Sequence, residues 1–523
     1  MKRTYNKYQI FIHFILFSLI LIALFSTSET SLFKKTLLIP EHNKDYFGIL
    51  NILNFITNNE YKYNFLEGSI RYINDDFLNI YHFSQINFLI IKIIAILNLD
   101  IFLKYILLAN IHIFLSLITL SYLLYKKNIS LLSSLTILTI FFLYESFHSR
   151  YVLGHINLLN YSGLIITFYL LEKLAKNFNV RYLIYLSIAN FYTLNLSEYY
   201  GFFNTLFSFF FIIIILIKNK FVVNHRIYLK IIIIGLFNLT LFLLLYSKFI
   251  FFSETNNVFQ PAYNIETFQK YALKEPISYF IKINFLNFYD LIDRIDLFFN
   301  RKYLLTQYID IYSNEIEKHG PNTIEFTYFY GVTILCLILF HRKIIIKENI
   351  SIFYCFLLSY LPVFLLMLHP IYPISLISIL EFFNLPFRSI VRANVLLDIL
   401  ILYLLIFLIE NDKVKKLFKI LILILIIFEL SNNKPVKIYT AKSDIYFENN
   451  YLNCYLNKSK NEILEDSYFI HLLSNINKTE FKFKDVLDNK SEIINIFCTN
   501  KDTFKGVKKL IKKNNMINLY EII

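Results

Sequence analysis

A short polar turn between two long apolar runs carries the densest group of side chains that could do chemistry. The turn lies in HSRYVLGHINLLNYSGL, residues 148–164, and it contains Arg150, His155 and Asn157. An arginine and a histidine together can hold an anion or line a polar pocket. A plain connection between spans needs only small polar residues, so we interpret the turn as a pocket wall. The alternative is an interfacial cap in which His155 hydrogen-bonds a neighbouring loop.

Two arginines later in the chain form a second candidate anion site. Arg388 and Arg392 are four residues apart in NLPFRSIVRANVLL, and this spacing places them on one face of a helix. Pro386 suits the first turn of that helix, so both guanidinium groups lie near free backbone amides that favour an anion. A lipid phosphate from the outer leaflet is the ligand that this predicts. The alternative is that both arginines reach out to lipid headgroups.

Acidic residues supply the candidate base. Asp45, in HNKDYFGIL, precedes a helical stretch at the outer surface, where a carboxylate can take a proton from an acceptor hydroxyl or simply cap the helix. Asp75 and Asp76 form a rival pair in the same loop. Glu198, next to Tyr199 in SEYYGFF, either orients a ligand or metal or reaches the surface.

The composition indicates that membrane spans must position these residues. The chain is 56% hydrophobic, its mean hydropathy is +0.51, and several windows exceed the roughly 18 apolar residues that cross a membrane. The formal net charge of +14 is explained by the Lys and Arg that cytoplasmic loops collect. We therefore expect a polytopic membrane protein, with membrane lipid as a partner and no nucleic acid.

Hydropathy predicts about eleven spans from a cytoplasmic N-terminus. Residues 27–101 and 252–324 form long outer loops, and a short apolar segment at 371–383 is a candidate re-entrant piece. The spans are predicted at residues 10–25, 102–125, 130–147, 156–172, 182–198, 202–218, 228–251, 325–341, 352–369, 390–409 and 416–430.

The positions of the basic residues agree with this membrane topology, because Lys and Arg are enriched in the cytoplasmic loops of membrane proteins. The predicted inner loops carry Lys126 and Lys127; Lys173, Lys176 and Arg181; Lys218, Lys220 and Arg226; Arg342, Lys343 and Lys347; and Lys413, Lys415, Lys416 and Lys419. The expected location is a bacterial inner membrane, with residues 1–431 as the transmembrane domain.

The tail, residues 432–523, has a different pattern. Strand-like pieces (VKIYT, DSYFIHLL, EIINIFC and INLYEII) accompany a basic helix-like piece, TFKGVKKLIKKNN. Because the number of spans is odd, this tail lies outside the cell. We predict a small extracytoplasmic α/β domain.

The order of these features resembles the bacterial multi-span glycosyltransferases of the GT-C type and related membrane proteins. The shared features, over residues 1–430, are HNKDYFGIL, RYVLGHIN, a span ending LLEKL, SEYYGFF, EFTYFYGVTIL and LPFRSIVRANVLL. The first loop departs from better-known members in having one Asp instead of an Asp-Asp or Asp-x-Asp pair. The identity of the base and any divalent-metal cofactor therefore stay open.

The resemblance implies a mostly α, GT-C-like bundle that transfers a hexosyl or pentosyl group with inversion. The sugar would pass from a polyprenyl-phosphate carrier to a lipid or glycan acceptor of the envelope on the outer face. Asp45 would take the proton of the acceptor, and the departing lipid phosphate would be stabilised by arginines. The implied substrate-binding residues are Arg150, His155, Asn157, Glu198, Tyr199, Glu325, Arg388 and Arg392.

Two other functions remain as alternatives. A lipid-linked saccharide transporter or polymerase component also needs many spans and outer basic residues, but transporters carry charges within spans near the membrane midplane. The spans predicted here contain few charged residues. A non-enzymatic membrane protein for envelope assembly would instead use the outer tail to bind a partner.

Overall fold

The structure is a computed structural model of the 523-residue chain. It describes residues 85–99, 101–143, 155–219, 331–378 and 390–432 as continuous stretches. Shorter described pieces are 15–19, 49, 52–53, 56–57, 61–64, 69–72, 81–82, 150, 229, 231–233, 235–236, 272, 446–448, 451–453, 455–459, 493–497, 508–513 and 518–522.

The long described stretches are mostly helical, as the sequence predicts. Two 3-10 turns, Ile156–Leu159 (η1) and Ile390–Asn394 (η2), interrupt them. The α-helices are α1 Gln85–Ile96, α2 Ile101–Lys126, α3 Leu131–Phe142, α4 Ser162–Lys176, α5 Val180–Leu196, α6 Glu198–Lys218, α7 Val332–Ile344, α8 Lys347–Met367, α9 Val395–Glu410 and α10 Lys416–Asn432.

Four helical stretches of the described residues are long and apolar enough to cross a membrane. They are Lys104–Lys126, Tyr199–Lys218, Lys347–Met367 and Arg392–Glu410, and each coincides with a predicted span. Helices α3, α4, α5, α7 and α10 also coincide with predicted spans, but they are shorter. The predicted spans at 10–25 and 228–251 lie almost entirely outside the described residues.

Helix α9 is the centre of the bundle. Its side chains from Val395 to Leu408 are almost all buried, because it is apolar on every face and packs against α3, α4, α7 and α8. On one side it meets stacked aromatic rings. Phe168 lies 4.7 Å from Phe207 and 4.9 Å from Phe356 between ring centroids, and Tyr403 of α9 lies 5.7 Å from Phe168. A helix that is hydrophobic all round is stable only in such an interior.

Helices α4, α5 and α6 pack closely through two glycines. A Cβ at Gly163 would overlap the side chain of Thr193, and a Cβ at Gly201 would overlap the backbone of Leu194. Small residues allow helices in membranes to approach at backbone distance. These contacts bring the first turns of α4 and α6 next to each other, where the polar residues described below converge.

Buried amides add hydrogen bonds between the same three helices. The Nδ2 group of Asn204 on α6 donates to Thr167 Oγ1 of α4 and to Asn190 Oδ1 of α5, both at 2.8 Å. Asn204 and Thr167 have no exposed surface and Asn190 very little. Because a buried amide without partners is costly, these bonds fix the rotation of each helix against its neighbours.

A group of hydrogen-bonded charged residues lies at the C-terminal ends of α4 and α9. Lys127, in the turn after α2, donates to Glu172 of α4 at 2.8 Å and to Glu410 of α9 at 2.9 Å. Lys176 also pairs with Glu172, and Asn349 of α8 donates to Glu410. We call these five residues the glutamate network. It ties α2, α4, α8 and α9 together at one end.

The stretch after Asp45 is helical where it is described, and it packs on protein. Ile49, Ile52, Leu53 and Ile56 are buried in the core, and their spacing places them on one helix face. The hydroxyl of the following Thr57 contacts the carbonyl of Ala95 and the ammonium group of Lys104. This face therefore covers the junction between α1 and α2.

All strand pairs among the described residues are antiparallel. Strands β1 Tyr61–Asn64, β2 Ser69–Tyr72 and β3 Tyr81–His82 form one sheet in chain order, and β4 Tyr446–Glu448 pairs with β5 Tyr451–Asn453. A four-stranded sheet has the order β6 Tyr455–Ser459, β7 Ile493–Phe497, β9 Asn518–Ile522 and β8 Lys508–Lys513.

The α/β domain predicted for the tail stays a prediction, because the pieces VKIYT and DSYFIHLL lie outside the described residues. Strands β7 and β9 fall within the pieces EIINIFC and INLYEII. Strand β8 falls within TFKGVKKLIKKNN, where a helix was predicted. The ladder with β9 supplies backbone hydrogen bonds to this lysine-rich run, and such tertiary pairing outweighs a weak local helix preference.

Replacement of Gly201 by alanine should destabilise the bundle. The new Cβ would overlap the backbone of Leu194, and overpacking of this kind costs about 1–3 kcal/mol. Thermal unfolding of the purified chain in detergent measures the loss. Gly235→Ala is the matched control, because nothing lies within 4 Å of that Cβ position. Equal melting temperatures for the two variants would contradict the close α5–α6 contact.

Replacement of Lys127 by methionine should also destabilise the fold. Glu172 and Glu410 would lose their shared cation, and breaking a buried ion pair costs about 3–5 kcal/mol. The melting temperature in detergent again reports the effect. Lys126→Met is the control, because Lys126 is exposed and lies over the ring of Tyr122, outside the glutamate network. A melting temperature for Lys127→Met as high as that of the control would refute the role of the network.

Candidate functional site

Arg150 is enclosed by aromatic rings and a carboxylate. Only 4% of its surface is exposed, and its guanidinium carbon lies 5.4 Å from the ring centroid of Tyr161 and 5.5 Å from that of Tyr200. Its Nη1 group donates to the Tyr161 hydroxyl. That hydroxyl in turn donates to Asp398 Oδ2 at 3.2 Å. A cation, a phenol and an acid from three parts of the chain thus form one hydrogen-bonded series.

Arg392 and His155 meet beside this series. Nη2 of Arg392 lies 3.2 Å from Nε2 of His155, and its guanidinium carbon lies 4.5 Å above the ring of Tyr199. A guanidinium group has only donors, so Nε2 of His155 accepts in this contact. The seven residues Arg150, His155, Tyr161, Tyr199, Tyr200, Arg392 and Asp398 are called the arginine cluster below.

The η1 segment is held in place by hydroxyl groups of the surrounding helices. Ser116 of α2 donates to the carbonyl of Leu159 at 3.0 Å and accepts from the backbone N–H of Tyr161 at 2.7 Å. The Tyr200 hydroxyl of α6 donates to the carbonyl of Leu158 at 2.7 Å. A broken helix inside a bundle needs such partners, because its backbone groups have no water to bond.

Asn160 completes this support at the start of α4. Its Oδ1 accepts from the backbone N–H of Ser162 at 3.1 Å, and its Nδ2 lies 3.2 Å from Nδ1 of His112 on α2. The Ser162 hydroxyl also contacts the Tyr192 hydroxyl of α5 at 3.0 Å. The amide therefore ends the 3-10 turn, caps the next helix and fixes both to α2.

The structure brings together four of the residues chosen from the sequence: Arg150, His155, Tyr199 and Arg392. Asn157 is half-buried in η1, and Glu198 is the first residue of α6, next to Tyr199. Asp45, Glu325 and Arg388 lie outside the described residues, as does the Asp75–Asp76 pair. Their relation to the cluster remains a prediction.

Sequence reasoning missed Tyr161 and Asp398 as members of the cluster, whereas Tyr200 belongs to the motif SEYYGFF that it had placed at the outer surface. Asp398 carried a usable signal, since it is the only charged residue in NVLLDILILYLL and an ionisable residue within a span is a functional candidate by default. Tyr161 carried no such signal, because the chain contains 40 tyrosines. Only packing distinguishes Tyr161 from the rest.

The donor set of the cluster suits an anion better than a metal ion. The described residues contain no group of three or more His, Cys, Asp or Glu side chains that could hold a metal. In the cluster, one carboxylate and one imidazole accompany two guanidinium groups, whereas divalent cations take several oxygen ligands. The described part of the site therefore does not fit a divalent metal.

The chain matches no protein-family model, no curated protein and no solved structure. A function can therefore be inferred only from the geometry of the arginine cluster. Two guanidinium groups, three phenol rings and an imidazole converge at one end of an apolar bundle. Arginine and tyrosine side chains donate to phosphate and hydroxyl oxygens, so the arrangement can bind a polar anionic group that carries an apolar chain.

Replacement of Asn160 by alanine should loosen this end of the bundle. The N–H of Ser162 and the ring of His112 would lose their partner, and an unsatisfied buried polar group costs about 1–3 kcal/mol. Thermal unfolding in detergent measures the change. Asn177→Ala is the control, because Asn177 follows α4 at its opposite end and is exposed. A larger loss in the control than in Asn160→Ala would contradict the proposed support.

Proposed function

We propose that the chain is a GT-C type membrane glycosyltransferase that transfers a sugar, with inversion, from a polyprenyl-phosphate carrier to a lipid or glycan acceptor of the envelope. The observation that carries the proposal is the convergence of Arg150 and Arg392 with His155 and tyrosines at one end of an apolar bundle. A polyprenyl phosphate has the matching chemistry, because its headgroup is anionic and its chain is apolar.

Arg392 is the residue best suited to the phosphate. It lies in η2 directly before α9, where backbone amides and the helix dipole favour negative charge. It is half-buried, whereas Arg150 is buried. A guanidinium fork at this position stabilises the charge that develops as the lipid phosphate leaves. The neighbouring Tyr199 ring and His155 hold the fork in orientation.

Asp45 remains the proposed base, with the Asp75–Asp76 pair as the rival. A base must reach the acceptor hydroxyl that it deprotonates. Asp398 is poorly placed for this task, because it is 5% exposed and accepts a hydrogen bond from Tyr161. The proposal therefore keeps the base in the first outer loop.

The proposed orientation places the arginine cluster outside and the glutamate network inside, with about eleven spans between a cytoplasmic N-terminus and an outer tail at 432–523. The two polar groups lie at opposite ends of α9, about 18 Å apart along a helix of this geometry. Basic residues accompany the glutamate network, as expected for a cytoplasmic face. They include Lys126, Lys127, Lys173, Lys176, Lys413, Lys415 and Lys416.

One observation favours the alternative of a transporter. Asp398 is a buried acid within a helix that is long enough to span a membrane, and such acids mark ion or substrate pathways. Its contacts explain it equally well as support for the arginine cluster, because it accepts from the Tyr161 hydroxyl, which in turn accepts from Arg150. The transport alternative is therefore decided by experiment.

Asp45→Asn should abolish sugar transfer by the purified chain in lipid nanodiscs. The probes are radiolabelled polyprenyl-phosphate glucose, mannose and arabinose, with envelope extract of the source cells as acceptor, and the measurement is label in the product. Loss of a general base lowers the rate about 10²- to 10⁴-fold. Asp412→Asn is the control, since Asp412 lies in the exposed turn after α9.

Three outcomes would contradict the proposal in different ways. Full activity of Asp45→Asn would remove Asp45 as the base. Movement of the intact labelled lipid across proteoliposomes, with the sugar bond uncleaved, would indicate transport. If the parent chain transfers nothing, and deletion of residues 432–523 removes the same envelope glycans as deletion of the gene, the tail-dependent scaffold is favoured.

A further inference from the structure

Asp398 needs a nearby cation. It lies in an apolar helix with only 5% of its surface exposed, between neighbours such as Leu396 and Ile399 that have no exposed surface at all. An isolated ionised carboxylate in such surroundings is very costly unless it is paired and hydrogen-bonded. The partner must reach it from another segment.

Arg150 supplies such a cation, and one hydroxyl group separates it from Asp398. The Tyr161 hydroxyl accepts from Arg150 Nη1 and donates to Asp398 Oδ2. The faces of Tyr161 and Tyr200 shield the guanidinium group, and arginine binds favourably against aromatic faces. Arg150, 4% exposed, is therefore enclosed by protein on the side where it meets the acid.

We infer that Arg150, Tyr161 and Asp398 form one buried charge unit that positions His155 against Arg392, and that Arg150 is a positioning residue of the site. Two contacts join the segment 150–161 to the segment 392–398. The deeper one is the charge unit, and the outer one is the contact between Arg392 Nη2 and His155 Nε2. The backbone N–H of His155 donates to the carbonyl of Arg150 at 2.9 Å, so a shift of Arg150 moves His155.

Arg150 and Arg392 have different roles. Arg150 neutralises Asp398 and sets the geometry, and Arg392 contacts the anionic ligand. The charge unit itself does not depend on the proposed function. Only the identity of the ligand at Arg392, a polyprenyl phosphate, rests on it.

A double-mutant cycle on the melting temperature in detergent tests the charge unit. Asp398→Asn and Arg150→Gln each remove one of the two opposite charges of the unit, and each should lower the melting temperature by several degrees. The double variant removes both charges and should melt above the less stable single variant. Arg150→Lys, which keeps the charge, should melt above Arg150→Gln. Strict additivity of the two single losses would overturn the charge unit.

Binding of farnesyl phosphate tests the positioning role. Calorimetric titration well below every melting temperature should show affinity about tenfold weaker for Arg392→Gln, which corresponds to about 1.4 kcal/mol. Asp398→Asn should weaken binding several-fold because the charge unit no longer positions His155 against Arg392, and Asp412→Asn should bind like the parent.

The outcomes separate the two proposals. Parent-like affinity in Asp398→Asn would overturn the positioning role. If Arg150→Gln weakens binding while Arg150→Gln with Asp398→Asn restores neither affinity nor melting temperature, Arg150 is itself a ligand and the division of tasks is wrong. If the parent does not bind farnesyl phosphate, the proposed lipid-phosphate ligand fails, and the melting cycle alone decides the charge unit.

Discussion

The burial of α9 is the constraint on which the described structure depends. This helix is apolar on every face, so it must be surrounded, yet it carries Asp398 in its first turn and Glu410 at its end. Each acid has to find a cation or a donor within the protein. The cations come from Arg150, which lies between α3 and η1, and from Lys127, which lies in the turn after α2. Pairing at both ends of α9 therefore fixes where these two segments lie.

Hydrogen bonds from hydroxyl and amide side chains fix the orientation of the segments around α9. Without tryptophan, the chain uses tyrosines both as ring surfaces for guanidinium groups and as donors to backbone carbonyls, as Tyr200 does for Leu158. Ser116 and Asn160 satisfy the interrupted backbone before α4. Such bonds are directional, so they place the arginine cluster more narrowly than apolar packing alone could.

The two ends of the bundle differ in the balance between their positive and negative side chains. In the glutamate network, the two lysines and two glutamates balance one another, and Lys127, Glu172 and Glu410 are largely buried, which suits a closed end. In the arginine cluster, two arginines face one described carboxylate, so the local charge favours an anion. The two ends of the bundle therefore differ in charge balance, and only the arginine cluster carries an excess of cations among its described residues.

The sequence by itself determined the helical class and the four long apolar helices, because hydrophobic period is a local signal. It also predicted Arg150, His155, Tyr199 and Arg392 as site residues, and the structure places these four side chains together. It misassigned Lys508–Lys513, where strand pairing outweighs local preference. The tertiary structure alone decided that Asp398 lies one hydroxyl from Arg150, although the two are 248 positions apart in the chain. The pairing of buried charges depends on which helices are neighbours, and no local pattern encodes that.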